Sequence, residues 1–196
     1  MDMAKQYFDF LNDHNTLFVR LSEMTSEVME AAQLIVRTLS NGKKVLICGN
    51  GGSAADAQHL AGELVGRFEQ ERRALPAIAL TTDTSILTAL GNDYGFDKIF
   101  ARQVEALGEA GDLLVAISTS GNSGNVILAT QAAEQKGLKS IGLLGRNGGN
   151  LASAVDIPII VSHSVTARIQ EVHIFIIHFW AAHVEKELFA FDLQSD

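Results

Sequence analysis

The chain has 196 residues, a length that suits one well-buried domain better than two. It carries 23 acidic and 15 basic residues, which gives a net charge of −8, and it contains no basic run. This charge argues against a surface that binds nucleic acid. The single cysteine, Cys48, excludes an internal disulfide and favours a reducing compartment, and its place at the end of an apolar run predicts a buried thiol.

Neither end of the chain has the pattern of a targeting or membrane segment. The start, MDMAKQYFDFLND, places acidic residues among the apolar ones and lacks the charged and apolar regions of a signal peptide. The longest apolar run near the C-terminus, residues 174–184, is interrupted by His178 and His183 and falls short of the ~20 residues of a membrane span. We therefore expect a cytoplasmic protein with no membrane partner.

Predicted helices and strands alternate along most of the chain. Apolar residues at helical spacing over residues 4–39 predict two helices in a hairpin, with the break at 12–15 or 22–26. Pro158 favours an edge position for the last of five predicted strands. These strands cover residues 43–48, 76–80, 113–117, 140–144 and 157–161. Further helices are predicted at residues 54–68, 81–90 with its cap, 97–107, 125–135 and 164–189, with a polar turn at 91–95 and a flexible turn at 145–150.

This alternation predicts the α/β class, with a doubly wound, five-stranded parallel sheet flanked by helices. We expect a single domain over residues 1–196, made of N-terminal helices (1–41), the sheet core (43–161) and a long C-terminal helix (164–190). In such sheets ligands bind beyond the carboxyl ends of the strands, where the strand order reverses. The loops GNGGS (49–53) and STSGNS (118–123) both follow predicted strands, so they should face one pocket.

The second of these loops has the composition of a phosphate cradle. Its hydroxyls and backbone N–H groups, placed at a helix start, can hold an anion without a cationic side chain. Asn122 or Ser123 is the candidate helix cap. Taken alone, the loop fits an ordinary capped turn equally well, and the glycine-rich GNGGS loop favours the anion site. No GxGxxG or GxxxxGK[ST] pattern occurs, so the familiar nucleotide sites are not indicated.

Two helices near these loops carry candidate catalytic or metal-binding residues. His59 and Glu63 are four apart after GNGGS and share one helix face. The C-terminal helix embeds Gln170, His173 and His178 among apolar residues on nearly every side, so we expect it to be buried in a subunit interface. The ordinary alternatives are a solvated His59–Glu63 pair and core histidines with satisfied hydrogen bonds.

Three segments carry a family resemblance: CGNGGSAADAQHLAGELVGR, ALGNDYGFDKIFARQVEALGEAGDLLVAISTSGNSGNVI and ARIQEVHIFIIH. Together they resemble the sedoheptulose 7-phosphate isomerases (phosphoheptose isomerases) of the SIS-domain superfamily, over nearly the whole chain. The resemblance implies a three-layer α/β/α fold, a homotetramer with active sites at subunit boundaries, and one zinc ion per subunit. The implied reaction converts D-sedoheptulose 7-phosphate to D-glycero-D-manno-heptose 7-phosphate, the first step of ADP-heptose biosynthesis for bacterial lipopolysaccharide.

The resemblance also implies a role for individual residues. Glu63 and His178 would be the catalytic base and acid. The zinc ligands would be His59, Glu63, Gln170 and His178. The substrate contacts would be Asn50, Gly51, Gly52, Glu63, Asn92, Asp93, Ser118, Thr119, Ser120, Ser123 and Gln170.

These residue types agree with the implied chemistry. Aldose–ketose isomerisation needs a base, an acid and positive charge near the substrate oxygens, and imidazole, carboxylate and amide groups suit zinc. Two features conflict with these roles. First, binding to zinc makes the Glu63 carboxylate a weaker base. Second, Gln170 and His178 are eight residues apart, roughly 12 Å along a helix, so the two side chains must reach toward each other or subunits must share the site.

Two other functions fit parts of the pattern. One is a non-catalytic SIS-domain adaptor that binds the bacterial replication initiator, which resembles this chain but lacks the glutamate and the last histidine of the set. Because Glu63 and His178 are both present, the sequence favours the enzyme. The other is a sugar-phosphate isomerase of the same superfamily that acts on a pentose or hexosamine, which only a substrate assay separates.

Overall fold

The computed structural model describes residues 2–189, which form a five-stranded parallel sheet flanked by helices. The strands are β1 (Val45–Gly49), β2 (Ala77–Ala79), β3 (Leu113–Ser118), β4 (Lys139–Gly145) and β5 (Ile157–Val161). The helices are α1 (Met3–Val19), α2 (Thr25–Ser40), α3 (Gly52–Val65), α4 (Thr84–Tyr94), α5 (Ala101–Leu107), α6 (Gly124–Gln135) and α7 (Thr166–Phe189). The predicted α/β fold is therefore confirmed. None of the helices within residues 2–189 has the length and apolar character needed to cross a bilayer.

The strand order is β2-β1-β3-β4-β5, which places the reversal of strand order between β1 and β3. The chain passes from β1 outward to β2, returns across β1 to β3 and continues in the same direction. Gly49 at the end of β1 pairs with Ile117 near the end of β3. The two polar loops therefore leave the sheet side by side, as the sequence predicted. The edge position of β5 agrees with the prediction from Pro158.

Apolar side chains cover both faces of the sheet. Val45 and Ile47 of β1 belong to a core cluster with residues of α2, α3 and α7. Leu46 and Cys48, which point to the other face, belong to a second cluster with residues of α5 and α6. Burial raises the pKa of the Cys48 thiol to about 12, so the thiol stays protonated. The predicted buried cysteine is thus confirmed.

Several predicted boundaries differ from the structure. The polar turn at residues 91–95 is wrong, because α4 continues to Tyr94 and ends only at Gly95, whose φ of +86° suits glycine. The turn at 145–150 overlaps a 3-10 helix, Gly149–Ser153. Another 3-10 helix, Arg20–Met24, separates α1 from α2 and overlaps the second of the two predicted breaks. Residue 190, the predicted end of the last helix, lies outside the described residues.

The terminal helix α7 is covered mainly by its own chain. Trp180 is fully buried, and its indole Nε1 donates to the Val28 carbonyl of α2 at 3.1 Å. The predicted burial of this helix is therefore confirmed within its own chain, and its place in a subunit interface stays a prediction, with Phe175 and Phe179 as its exposed apolar residues. In α1, by contrast, Leu17 is the buried residue. The exposed apolar residues of α1 include Met3, Tyr7, Phe8, Phe10 and Val19.

Candidate active site

Two helix N-termini meet at the sheet edge between β1 and β3. Gly51 occupies the N-cap of α3 with φ 56° and ψ −121°, a conformation that favours glycine. Ser123 occupies the N-cap of α6. Neither residue makes a side-chain capping bond in the described structure. Backbone N–H groups and the positive ends of two helix dipoles are therefore available to an anion at this edge.

Hydrogen bonds within the STSGNS loop hold its hydroxyls in place. The buried Ser118 Oγ lies 2.9 Å from Ser123 Oγ and accepts the Gly121 N–H at 3.1 Å. Ser120 Oγ accepts the Asn122 N–H at 3.1 Å. Ser123 thus has the predicted cap position, but its hydroxyl contacts Ser118 instead of capping the helix. The loop is organised before any ligand binds, which lowers the entropic cost of binding.

An asparagine pair joins the two loops. Asn50 Nδ2 donates to Asn125 Oδ1 at 2.8 Å, and Asn125 Nδ2 donates back to Asn50 Oδ1 at 2.9 Å. Asn125 is 2% exposed, so this reciprocal bond satisfies an otherwise buried amide. Asn125 was not among the residues predicted from the sequence. The sequence signal that could have indicated it is a polar amide side chain at a position of the predicted helix that faces the core.

His59, Glu63 and His178 converge on one point between α3 and α7. The Nε2 atoms of His59 and His178 are 2.9 Å apart, and His59 Nε2 lies 3.1 Å from Glu63 Oε1. One ligand atom from each residue lies within 4.8 Å of the others. Ligands of one tetrahedral zinc ion at about 2.1 Å would be about 3.4 Å apart, so a small opening of this group accommodates the ion. The three residues fit a metal in number, type and spacing.

Gln170 lies at the loop end of the site. Its carboxamide packs on Gly52, the first residue of α3, so closely that a Cβ at this position would lie 2.8 Å from Gln170 Cδ. A side chain at position 52 would therefore have to displace the carboxamide of Gln170. The structure brings together three of the four predicted zinc ligands and places the fourth against the predicted substrate loop, so the metal role of Gln170 stays a prediction.

Two buried ionisable groups lie on the helices that carry the site. Burial raises the pKa of the Asp56 carboxyl to about 6, while the charge of His59, one turn further along α3, opposes part of this shift. Burial lowers the pKa of His173 to about 4, and its Nε2–H donates to the Leu144 carbonyl at 3.3 Å. His173 is thus a neutral core histidine, which agrees in part with the ordinary alternative: its Nε2 is hydrogen-bonded, but its buried Nδ1 has no partner among the described residues. Asp56 was not among the residues predicted from the sequence, although it precedes His59 by three residues and therefore shares its helix face.

The other predicted substrate residues lie on exposed or loop positions. Asn92 donates to Asp93 at 2.8 Å in the last turn of α4, and both are exposed. Asp97, just beyond them, lies against Gly124 at the start of α6, so this segment adjoins the cradle. Thr119 is half-buried within the loop. Their predicted contacts with substrate stay predictions.

The chain is similar to characterised families along most of its length. The SIS domain family model matches residues 7–145. A curated phosphoheptose isomerase from Geotalea daltonii is 59% identical over 167 residues, which are 85% of this chain and 87% of that protein.

Two solved structures are similar over nearly the whole chain. The phosphoheptose isomerase from Neisseria gonorrhoeae is 45% identical with a TM-score of 0.90, and the match covers 94% of this chain and 100% of that one. A phosphoheptose isomerase from Francisella tularensis is 38% identical with a TM-score of 0.92, and the match covers 95% and 100%. The chain therefore belongs to the phosphoheptose isomerase family of SIS-domain proteins.

Proposed function

We propose that this protein isomerises D-sedoheptulose 7-phosphate to D-glycero-D-manno-heptose 7-phosphate, the first step of ADP-heptose biosynthesis. The observation that carries the proposal is the group of His59, Glu63 and His178 beside two uncapped helix N-termini at one sheet edge. The similarity to curated phosphoheptose isomerases supports this enzyme over the adaptor alternative.

The site is arranged along α3 for a long sugar phosphate. In the proposed complex, the phosphate lies at the loops GNGGS and STSGNS. His59 is seven residues beyond Gly52, about 10 Å along the helix. An extended chain of seven carbons is about 8 Å long from its first to its last carbon. A sugar held by its terminal phosphate can therefore present its first two carbons to the acid–base group.

In the proposed mechanism, Glu63 and His178 move the protons. The Glu63 carboxylate takes the proton from the carbon beside the carbonyl, which gives an enediolate, and His178 protonates the former carbonyl oxygen to give the enediol. Glu63 then returns its proton to the neighbouring carbon while the hydroxyl of the first carbon gives its proton back to His178, which leaves the aldehyde and completes the isomerisation. Glu63 is half-buried, so its carboxylate can meet the substrate with little competing water.

We also propose that His59, Glu63 and His178, with Gln170, hold one zinc ion per subunit. Zinc, when bound, supplies a Lewis acid that polarises the sugar oxygens. The support within this chain is the convergence of two imidazoles and one carboxylate, a donor set that zinc commonly takes. The rest of the substrate contact set, Asn92 and Asp93 included, forms part of the same proposal.

A cytoplasmic homotetramer is the proposed assembly. The exposed apolar row on α1 supports oligomerisation, since Tyr7 and Phe8 are 66% and 58% exposed. Replacing Phe8 with Glu should weaken the assembly, and light scattering at equal protein concentration measures it. Trp180→Glu would instead unfold the protomer, because Trp180 is a core residue. A monomeric wild type would refute the tetramer.

The function is tested by incubating the purified protein with sedoheptulose 7-phosphate and detecting aldoheptose phosphate. Glu63→Gln and His178→Asn should each lower kcat by about a hundredfold to ten-thousandfold. Matched controls are Glu71→Gln, at a largely exposed glutamate beyond α3, and His183→Asn, at a histidine five residues further along α7. Full activity in both site variants would assign catalysis elsewhere. Activity only with pentose or hexosamine phosphates would support the other isomerase class.

A further inference from the structure

The ring of Phe68 stacks on the imidazole of His178. The two ring centroids are 5.7 Å apart and the planes are inclined by 29°. His178 lies on α7, while Phe68 lies in the loop that follows α3. On its other side, His178 contacts His59 in an edge-to-face arrangement with centroids 5.0 Å apart. The His178 ring is therefore held between two rings, those of His59 and Phe68, which fix its orientation.

A buried carboxylate holds the loop that carries Phe68. Glu185 is 2% exposed and accepts three consecutive backbone N–H groups, from Phe68 at 2.7 Å and from Glu69 and Gln70 at 2.9 Å each. Glu185 follows His178 by seven residues, which is two helical turns, so both side chains lie on the same face of α7. The loop is thus attached to the helix face that presents His178.

Arg72 completes the attachment. Its Nε donates to Glu185 at 3.2 Å, and its Nη atoms donate to the carbonyls of Glu63, Leu64 and Gly66 at 2.6, 2.8 and 2.8 Å. These carbonyls lie at the end of α3, where helix carbonyls lack intrahelical partners. The Arg72 side chain is 1% exposed. One buried ion pair therefore fixes the end of α3, the loop and α7 relative to one another.

A buried ion pair is weak evidence of a gain in stability, since desolvation offsets much of its attraction. The pair instead fixes two backbone segments near the site. Arg72 binds the backbone carbonyl of Glu63, a member of the proposed metal and catalytic group, and Glu185 binds the backbone N–H of Phe68, which stacks on His178. Replacing a group that orients a metal ligand commonly changes the affinity of the site for the metal.

We propose that Phe68 is a positioning residue that fixes the imidazole of His178 for metal binding and proton transfer, and that the Arg72–Glu185 pair holds Phe68 in place. The inference rests on the proposed function, because it assigns Phe68 a role through the proposed ligand His178. A residue that only filled space beside α7 would contribute to folding without changing the metal affinity of the folded protein.

The test compares zinc affinity in the wild type, Phe68→Leu and Phe68→Tyr by competition with a chromogenic chelator. Leucine keeps apolar bulk but removes the ring, so zinc affinity should fall about tenfold or more. Tyrosine keeps the ring and should stay within about twofold. Phe18→Leu is the matched control, because Phe18 stacks on His14, a histidine outside the group, at 4.2 Å. This control should leave zinc affinity unchanged.

Thermal unfolding with zinc and with a chelator supplies a second measurement. In Phe68→Leu the zinc-induced rise in Tm should shrink, whereas a purely structural role would lower Tm equally under both conditions. A zinc affinity of Phe68→Leu within about twofold of the wild type would refute the positioning role. A wild type that isomerises the substrate but binds no zinc would refute the metal site on which the inference depends. Failure of the positioning role and failure of the metal site therefore give different results.

Discussion

The asparagine pair that joins the two loops makes a quantitative prediction. Asn125→Ala removes both hydrogen bonds between Asn50 and Asn125 and leaves the Asn50 amide without its partner. Each such bond contributes about 1 kcal/mol to stability, so the variant should lose about 2 kcal/mol of unfolding free energy. The loops would also lose their mutual alignment at the proposed phosphate site. We therefore expect KM for sedoheptulose 7-phosphate to rise about tenfold, with a smaller change in kcat.

Urea unfolding at equal protein concentration and steady-state kinetics measure the two effects. Thr130→Ala is the matched control on α6, because Thr130 is also buried but bonds within its own helix, to the Ile127 carbonyl at 2.8 Å. It should lose about 1 kcal/mol and leave KM unchanged. A stability loss below about 0.5 kcal/mol in Asn125→Ala, or an unchanged KM, would contradict the assigned role of the pair.

Three further variants test other contacts. Gly52→Ala should displace the Gln170 carboxamide at a cost of no more than about 1 kcal/mol of stability, because the end of a flexible side chain can move, and the double variant with Gln170→Ala should recover that loss in urea unfolding. Ser120→Asp should place like charges together and raise KM about tenfold or more while Tm changes little; an unchanged KM would refute the phosphate site. As the pH falls from 7 to 5, His173 should lower the free energy of unfolding by about 2 kcal/mol. The reason is that His173 binds a proton below about pH 6.5 in the unfolded chain but only below about pH 4 in the folded protein. His173→Leu should remove that part of the pH dependence, and an unchanged slope would contradict it.

The fold could be predicted from sequence because its signals are local. Five short apolar runs separated by helical patterns specify a parallel sheet, and all five strands overlap their predicted ranges. The error at residues 91–95 has a physical reason. Gly91 and Asn92 have weak helix propensity, but α4 continues through them and ends at Gly95, whose positive φ no helix interior accepts.

The site was only partly predictable, since much of it depends on contacts between distant segments. The i,i+4 spacing identified His59 and Glu63 as neighbours from sequence alone. Their meeting with His178 requires α7 to pack beside α3, and the sequence suggested it only through the family resemblance. Asn125 and Phe68 were missed for the same reason, because their partners lie 75 and 110 residues away.

The spacing of Gln170 and His178 has a structural explanation in the relative direction of α3 and α7. Gln170 contacts Gly52 and His178 contacts His59, so the two helices advance in the same direction from the sheet edge. The spacings of eight residues on α7 and seven on α3 correspond to about 12 Å and 10 Å, which are nearly equal. Within one chain, Gln170 therefore lies at the loop end of the site, and His178 lies at the end with His59 and Glu63. A substrate that extends along the two helices would meet Gln170 near its phosphate and His178 near its carbonyl. For both residues also to bind one zinc ion, as proposed, subunits would have to share the site, which is one of the two arrangements that the sequence left open.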